Sequence, residues 1–157
     1  MNGVAFASFV ASGQTCVSGT RILVQHDIYD KFMSLFIQKA NSIRSRMGDR
    51  ALVRSNSLTQ NTDVHITIAM NPKSTMGTVI SSHHLQRIES MITRTSGKVI
   101  TGGQRMLGKS ELDEFDFSKG SFFPPTIISG INPNDELWKE EIFGPVVVIR
   151  RFSVGYL

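Results

Sequence analysis

Short runs of apolar and β-branched residues recur along the chain without polar alternation, a pattern typical of strands that are covered on both faces. The four predicted strands lie at residues 21–25, 98–101, 126–129 and 146–149. Helical patterns separate the first of these runs from the second. Strands interleaved with helices in this way predict an α/β fold with a partly parallel sheet.

Apolar residues at helical spacing predict an amphipathic helix that follows the first strand. Asp27 is a plausible N-cap, the apolar positions continue to Ile43, and the helix should stop before Gly48. The apolar stretch at 4–11 resembles the core of a signal peptide. It lacks basic residues before it and a cleavage pattern after it, so we expect a buried helix instead.

A second amphipathic helix is predicted at residues 83–96, beyond the middle of the chain. Ser81 or Ser82 would cap its first turn, and Gly97 would occupy the C′ position. A short helical turn is expected at 135–141.

Two polar segments interrupt this alternation. Residues 50–69 are rich in Ser, Thr and Asn, and a loop of this length is unusual inside a compact domain. We expect it to be an atypical surface insertion. Residues 111–120 predict an acidic surface loop.

Composition narrows the class of protein. The 157 residues suit a single domain, and the values of 40% hydrophobic and 19% charged residues argue against disorder. A single cysteine excludes a disulfide framework and a multi-thiolate zinc site. No run of 18 apolar residues occurs, so no membrane span is expected. Without a targeting signal, we expect a cytoplasmic protein.

The net charge of +4 raises the question of nucleic-acid binding. The nearest basic cluster has no interleaved aromatic residues, and it consists of Arg44, Arg46, Arg50 and Arg54. Because a phosphate-tracking groove needs several cations on one face together with stacking rings, we expect no nucleic-acid partner.

The single cysteine, Cys16, stands between Gly13 and Gly19, on a connection that leads from an apolar helix into the first strand. Glycines permit tight turns, and small neighbours let a ligand approach a thiol at the edge of a sheet. The alternative is a small buried core residue, which is the commonest state of a free cysteine.

A second candidate is the turn that leads into the last strand. The carboxylate of Glu141 could accept hydrogen bonds from ribose hydroxyls, and the Phe143 ring could pack on a flat ring of a ligand. The alternative is a capped turn with surface acids. The adjacent His83 and His84 do not have metal-binding spacing, and no glycine-rich phosphate cradle is present.

Two segments together, GQTCVSGTR at 13–21 and KEEIFGPVVVI at 139–149, resemble the aldehyde dehydrogenase superfamily. Residues 71–81 and 123–126 are similar to further family segments. The resemblance extends over 3–49 and 70–152 and is closest to fungal-type members. It implies that residues 1–157 form part of a catalytic domain, with a largely parallel sheet flanked by helices.

By this resemblance, Cys16 is the catalytic thiol that attacks a small-molecule aldehyde, forming a thiohemiacetal, then a thioester, and releasing a carboxylic acid. Glu141 and Phe143 match the residues that contact the nicotinamide ribose of NAD or NADP. The family also suggests a homo-oligomer.

The chain departs from the family pattern at several points. The family's general-base glutamate and its Gly-Gly-Lys run are absent from this sequence, and its nucleotide-binding domain lies before the cysteine. We therefore expect little activity from these residues alone. The alternative is a non-catalytic truncated fragment that associates with full-length subunits.

Overall fold

The computed structural model of the chain describes residues 1–43, 76–109 and 116–153. The helices are α1 (Asn2–Phe9), α2 (Tyr29–Asn41), α3 (Ser82–Arg94) and α4 (Glu136–Lys139). The strands are β1 (Arg21–Gln25), β2 (Lys98–Thr101), β3 (Thr126–Ser129) and β4 (Val146–Phe152). The predicted insertion at 50–69, the basic cluster and residues 111–115 of the acidic loop lie outside the described residues.

The four strands form one sheet in the order β1-β4-β3-β2. β4 is parallel to both of its neighbours, with Ile22 opposite Ile149 and Ile127 opposite Val147. β2 joins the far side of β3 in the antiparallel direction. The prediction of an α/β fold with a largely parallel sheet is confirmed.

The two faces of the sheet carry separate clusters of buried apolar residues. Val146 and Val148 of β4 pack with the α3 and α4 side chains, whereas Val147 and Ile149 pack with those of α1 and α2. All four residues are fully buried. Because both faces are covered by helices, the strand has no polar alternation, which explains the continuous apolar run in the sequence.

The second predicted helix has the expected N-cap. The Ser81 hydroxyl accepts a hydrogen bond from the backbone N–H of His84 at 3.1 Å. The prediction of Gly97 at C′ is wrong, because the helix ends at Arg94 and Thr95 is already extended. A side chain at Gly97 would instead overlap Ile128 of β3, so this glycine permits a close approach of the chain to the sheet.

The first predicted helix differs at its start. A 3₁₀ turn over His26–Ile28 precedes α2, and no side chain caps the helix. Asp27 is therefore not an N-cap, and its carboxylate accepts a hydrogen bond from the Gln25 amide at 3.3 Å. The 3₁₀ turn after β1 leads the chain directly into α2, so the helix begins without a side-chain cap.

The N-terminal stretch is helical, as predicted, but only one side of α1 is buried. Phe9 is 4% exposed, whereas Phe6 is 71% exposed. The expectation of a buried helix therefore holds only for the face of α1 that carries Phe9, and α1 ends before Val10. Within the described residues, no helix has the length and apolar character that a membrane crossing requires.

Candidate active site

Cys16 lies on a tight turn between α1 and β1. The backbone N–H of Ser18 donates to the carbonyl of Thr15 at 3.0 Å, which closes the turn around Cys16 and Val17. The cysteine is exposed to solvent. This exposure contradicts the buried-core alternative and leaves the thiol accessible to a dissolved carbonyl compound.

The chain that leaves this turn is fixed to α1. The backbone N–H of Gly19 donates to the carbonyl of Ala7 at 2.8 Å, and the Ser8 hydroxyl donates to the carbonyl of Gly19 at 3.0 Å. Ser8 is fully buried. Two hydrogen bonds to a packed helix therefore set the position of the chain just after Cys16.

The chain that enters the turn is fixed to residues 77–80. The Gln14 side-chain oxygen accepts from the backbone N–H of Ile80 at 2.8 Å, and its nitrogen donates to the carbonyl of Thr78 at 3.1 Å. The Ser12 hydroxyl donates to the carbonyl of Gly77 at 3.0 Å. The turn that carries Cys16 is thus held on both sides.

The turn that precedes β4 lies at the same edge of the sheet as the Cys16 connection. β1 and β4 are parallel neighbours, so the amino ends of both strands, with the segments that precede them, lie at the same edge of the sheet. Gly13 packs against Gly144 so closely that a Cβ on Gly13 would overlap the Gly144 carbonyl. In open α/β sheets ligands usually bind at the carboxyl ends, so this edge is the less common one.

Residues 141–143 are held by two side chains of α3. Arg87 donates to the carbonyls of Ile142 at 2.9 Å and Glu141 at 3.2 Å. His84 Nε2 lies 2.6 Å from the Phe143 carbonyl oxygen, so the Nε2–H tautomer donates there. The Glu141 side chain is exposed, and the half-buried Phe143 ring forms a T-shaped contact with the His84 ring.

The non-glycine residues with left-handed backbone conformations lie in the two segments that precede β1 and β4. Three non-glycine residues of the described ranges have positive φ, namely Ala11 at 49°, Ser12 at 57° and Phe143 at 58°. Such conformations cost free energy and persist where the surroundings impose them, which is common at functional sites. The strain supports the assignment of this edge as the candidate site.

Cys16, Glu141 and Phe143 are the site residues predicted from the sequence, and the structure places their two segments in backbone contact. Gln14, Arg87 and His84 had no predicted role. Their long-range hydrogen bonds join positions 54 to 66 residues apart in sequence, so no local pattern could have revealed them.

The described residues contain no group of three or more His, Cys, Asp or Glu side chains placed to hold a metal ion. A groove of about 410 Å³ runs between α1 and α2 and is lined by Phe6, Phe9 and Ile43 among others. Cys16 and Glu141 do not line this groove, so it is separate from the candidate site.

Comparison with known proteins defines the class. The sequence profile of the aldehyde dehydrogenase family matches residues 1–154. The chain therefore belongs to the aldehyde dehydrogenase family, and the prediction from the two sequence segments is confirmed.

Individual relatives come from yeast, plants and bacteria. The chain is 34% identical over 152 residues to "Aldehyde dehydrogenase [NAD(P)+] 2" of Saccharomyces cerevisiae, which covers 96% of the chain and 26% of the relative. It is 31% identical over 157 residues to "Succinate-semialdehyde dehydrogenase, mitochondrial" of Arabidopsis thaliana, with 98% and 24% covered. The narrower expectation of a fungal-type member stays a prediction.

A solved structure of betaine aldehyde dehydrogenase from Staphylococcus aureus in complex with NAD+ superposes with a TM-score of 0.76. Its sequence is 28% identical, and the match covers 98% of this chain and 26% of that one. The chain thus spans about a quarter of the length of the curated relatives that it matches.

Proposed function

We propose that this chain supplies the nucleophile and part of the cofactor site for NAD(P)+-dependent oxidation of aldehydes. The observation that carries the proposal is the exposed Cys16 thiol on a turn fixed at both ends, with the Glu141–Phe143 turn at the same sheet edge. A nucleophile held in this way loses little orientational freedom when a substrate binds.

The reaction proceeds through the sulfur atom. The Cys16 thiolate adds to the carbonyl carbon, so that a C–S bond forms and the carbonyl π electrons move to oxygen. When bound, NAD(P)+ would supply the hydride acceptor that converts the thiohemiacetal on Cys16 to a thioester. Water would then cleave this thioester, giving a carboxylic acid and the free thiol. The net change is RCHO + H₂O + NAD(P)+ to RCOOH + NAD(P)H + H⁺.

The residues of the second turn fit the ribose end of such a cofactor. An exposed carboxylate, as on Glu141, accepts hydrogen bonds from vicinal hydroxyls, and the half-buried Phe143 ring offers an apolar surface to a flat heterocycle. Arg87 and His84 hold the backbone of this turn, which keeps both side chains in place. These contacts do not distinguish NAD+ from NADP+.

The 157 residues contain neither a phosphate-cradling glycine motif nor the family's general-base run, so we propose that they do not oxidise aldehydes on their own.

A non-catalytic association with full-length subunits is the second candidate function. It is favoured by exposed apolar side chains, with Phe6 71% and Leu23 60% exposed. A cytoplasmic location, homo-oligomerisation and the lack of nucleic-acid or membrane partners remain proposals.

The test of the nucleophile is alkylation of Cys16, the only cysteine of the chain. Iodoacetamide labelling is followed by mass spectrometry for the folded chain, for the urea-unfolded chain, and for both with added aliphatic aldehyde. We expect the folded chain to react faster and the aldehyde to slow it. Equal rates in the folded and unfolded chains would overturn the proposal.

Turnover and association are measured separately. With an aldehyde and NAD+ or NADP+, we expect no formation of reduced cofactor above the level of Cys16→Ala. Turnover that Cys16→Ala abolishes would show that the 157 residues suffice for catalysis.

In size-exclusion chromatography, co-elution with a full-length aldehyde dehydrogenase would support the second candidate, and a stable monomer that does not co-elute would count against it.

A further inference from the structure

We infer that Gln14 is a positioning residue for the Cys16 thiol, a role that rests on the function proposed above. The side-chain amide of Gln14 joins the turn that carries the nucleophile to the backbone that leads into α3. No other side chain of the described ranges bonds to both Thr78 and Ile80.

The turn that carries Cys16 is attached on both sides. The chain after Cys16 is attached to α1 through Gly19, whereas the chain before it is attached to 77–80 through Gln14 and Ser12. With the attachment at Gly19 alone, the four-residue turn could pivot. Ser12 and Gln14 both oppose that motion, and Gln14 is the one nearer to Cys16 in the chain, so its amide has the stronger influence on the direction from which the thiol is presented.

The segment to which Gln14 bonds leads directly into α3. Ile80 is followed directly by Ser81, the N-cap of α3. The same helix carries Arg87 and His84, which hold the backbone of residues 141–143. The Gln14 bonds therefore fix Cys16 relative to the turn that bears Glu141 and Phe143.

The side chain at position 14 must both donate and accept a hydrogen bond, which explains a glutamine there. The Thr78 carbonyl requires a donor and the Ile80 N–H requires an acceptor, and a primary amide supplies both at one position. A glutamate would keep the bond from Ile80 but would place a carboxylate oxygen against the Thr78 carbonyl. A methionine has nearly the same length and volume and satisfies neither group.

The experiment compares the full chain with Gln14→Met, Gln14→Glu and the control Gln38→Met, which makes the same replacement at an exposed position of α2. Iodoacetamide labelling of Cys16 is measured from pH 6 to 10, in the folded state and in urea. Hydrogen exchange of the Ile80 amide reports the bond directly, and thermal melts report stability.

We expect Gln14→Met to label at least about threefold more slowly than the wild-type chain, because a misplaced nucleophile loses orientation. The pH profile of its labelling should differ from that of the wild-type chain, and the Ile80 amide should lose protection from hydrogen exchange. Gln14→Glu should retain part of the rate, and Gln38→Met should match the wild type. A structural role alone would lower the melting temperature without moving the pH profile.

The labelling rates distinguish a failure of the positioning role of Gln14 from a failure of the proposed function. A wild-type thiol that labels faster than the unfolded chain, with an unchanged profile in Gln14→Met, overturns the positioning role and leaves the function standing. A wild-type thiol no faster than the unfolded chain overturns both. If Gln14→Met does not fold, Gln14→Glu decides: an unchanged rate and profile overturns the inference, and a loss supports it.

Discussion

Gly13 and Gly144 pack backbone against backbone, and this contact joins the loop that carries Cys16 to the turn that carries Glu141 and Phe143. Gly13 has φ of 69°, in the left-handed region, and a Cβ there would overlap the Gly144 carbonyl. The left-handed conformation favours glycine, and the close approach requires a residue without a side chain. The backbone contact between the two halves of the candidate site therefore depends on a glycine at position 13.

Gly13→Ala should destabilise the chain by about 2 kcal/mol or more, since left-handed strain and overlap add together. Labelling of Cys16 by iodoacetamide should also slow. The measurements are urea unfolding and the alkylation rate. Gly3→Ala is the matched control, because Gly3 lies in α1 with open space around its Cβ position, and it should be neutral or stabilising by up to about 1 kcal/mol. Equal stability of the two variants would contradict the close contact.

Arg87→Ala should cost about 1–3 kcal/mol of unfolding free energy, because it leaves the carbonyls of Ile142 and Glu141 without their charged donor. Arg94→Ala on the same helix is the control. Its bidentate pair with Glu136 is exposed and should contribute no more than about 1 kcal/mol. A larger loss for Arg94→Ala than for Arg87→Ala in urea unfolding would show that the turn does not depend on Arg87.

Asp135 links stability to acid pH. Burial raises the pKa of its carboxyl group, but hydrogen bonds from Ser96 and Leu137, with one from Thr95, outweigh this and hold the pKa below the ordinary 3.8. A carboxyl group whose pKa is lower in the folded state stabilises the fold above the unfolded-state value. That stabilisation is lost as pH falls through the folded-state pKa.

Asp135→Asn keeps an N-cap oxygen but removes the charge, so the hydrogen bonds from Ser96 and Leu137 weaken. It should therefore cost about 1 kcal/mol at neutral pH and should weaken the fall in stability between pH 5 and pH 2. Urea unfolding across this pH range checks both effects. Asp27→Asn, at an exposed site that caps no helix, should stay within about 0.5 kcal/mol of the wild type. The same acid dependence in Asp135→Asn as in the wild type would refute the linkage.

Phe36→Ala should destabilise the chain by about 3–5 kcal/mol, because Phe36 is fully buried against Phe9 and Phe32 and its loss leaves a cavity. Phe6→Ala makes the same replacement at a ring that is 71% exposed and should change stability by about 0.5 kcal/mol or less. Thermal and urea unfolding test the pair. A large loss for Phe6→Ala would indicate that a partner or further chain covers that surface.

Much of the fold could be predicted because local signals were strong. The run at 146–149 has no polar alternation, since helices cover both faces of β4, and Ser81 caps α3 through its own side chain. The expected cap at Asp27 failed because the chain makes a 3₁₀ turn before the helix begins.

The candidate site was less accessible to prediction. The spacing of Cys16 left buried and exposed states open, and the prediction of a catalytic role for it came from family resemblance. The pairing of β1 with β4 joins residues more than a hundred positions apart, and the left-handed Phe143 is held by His84 from a distant helix. Contacts of this kind depend on the whole fold, and single-sequence patterns contain no record of them.

Carbon-13 NMR with an aldehyde labelled at its carbonyl carbon tests the reactivity of Cys16 most directly. The wild-type chain should give a protein-bound tetrahedral carbon signal, which is the thiohemiacetal on sulfur. Cys16→Ser and the iodoacetamide-treated chain should lack it. A wild-type chain without this signal, or the same signal in Cys16→Ser, would contradict the assignment of Cys16 as the nucleophile.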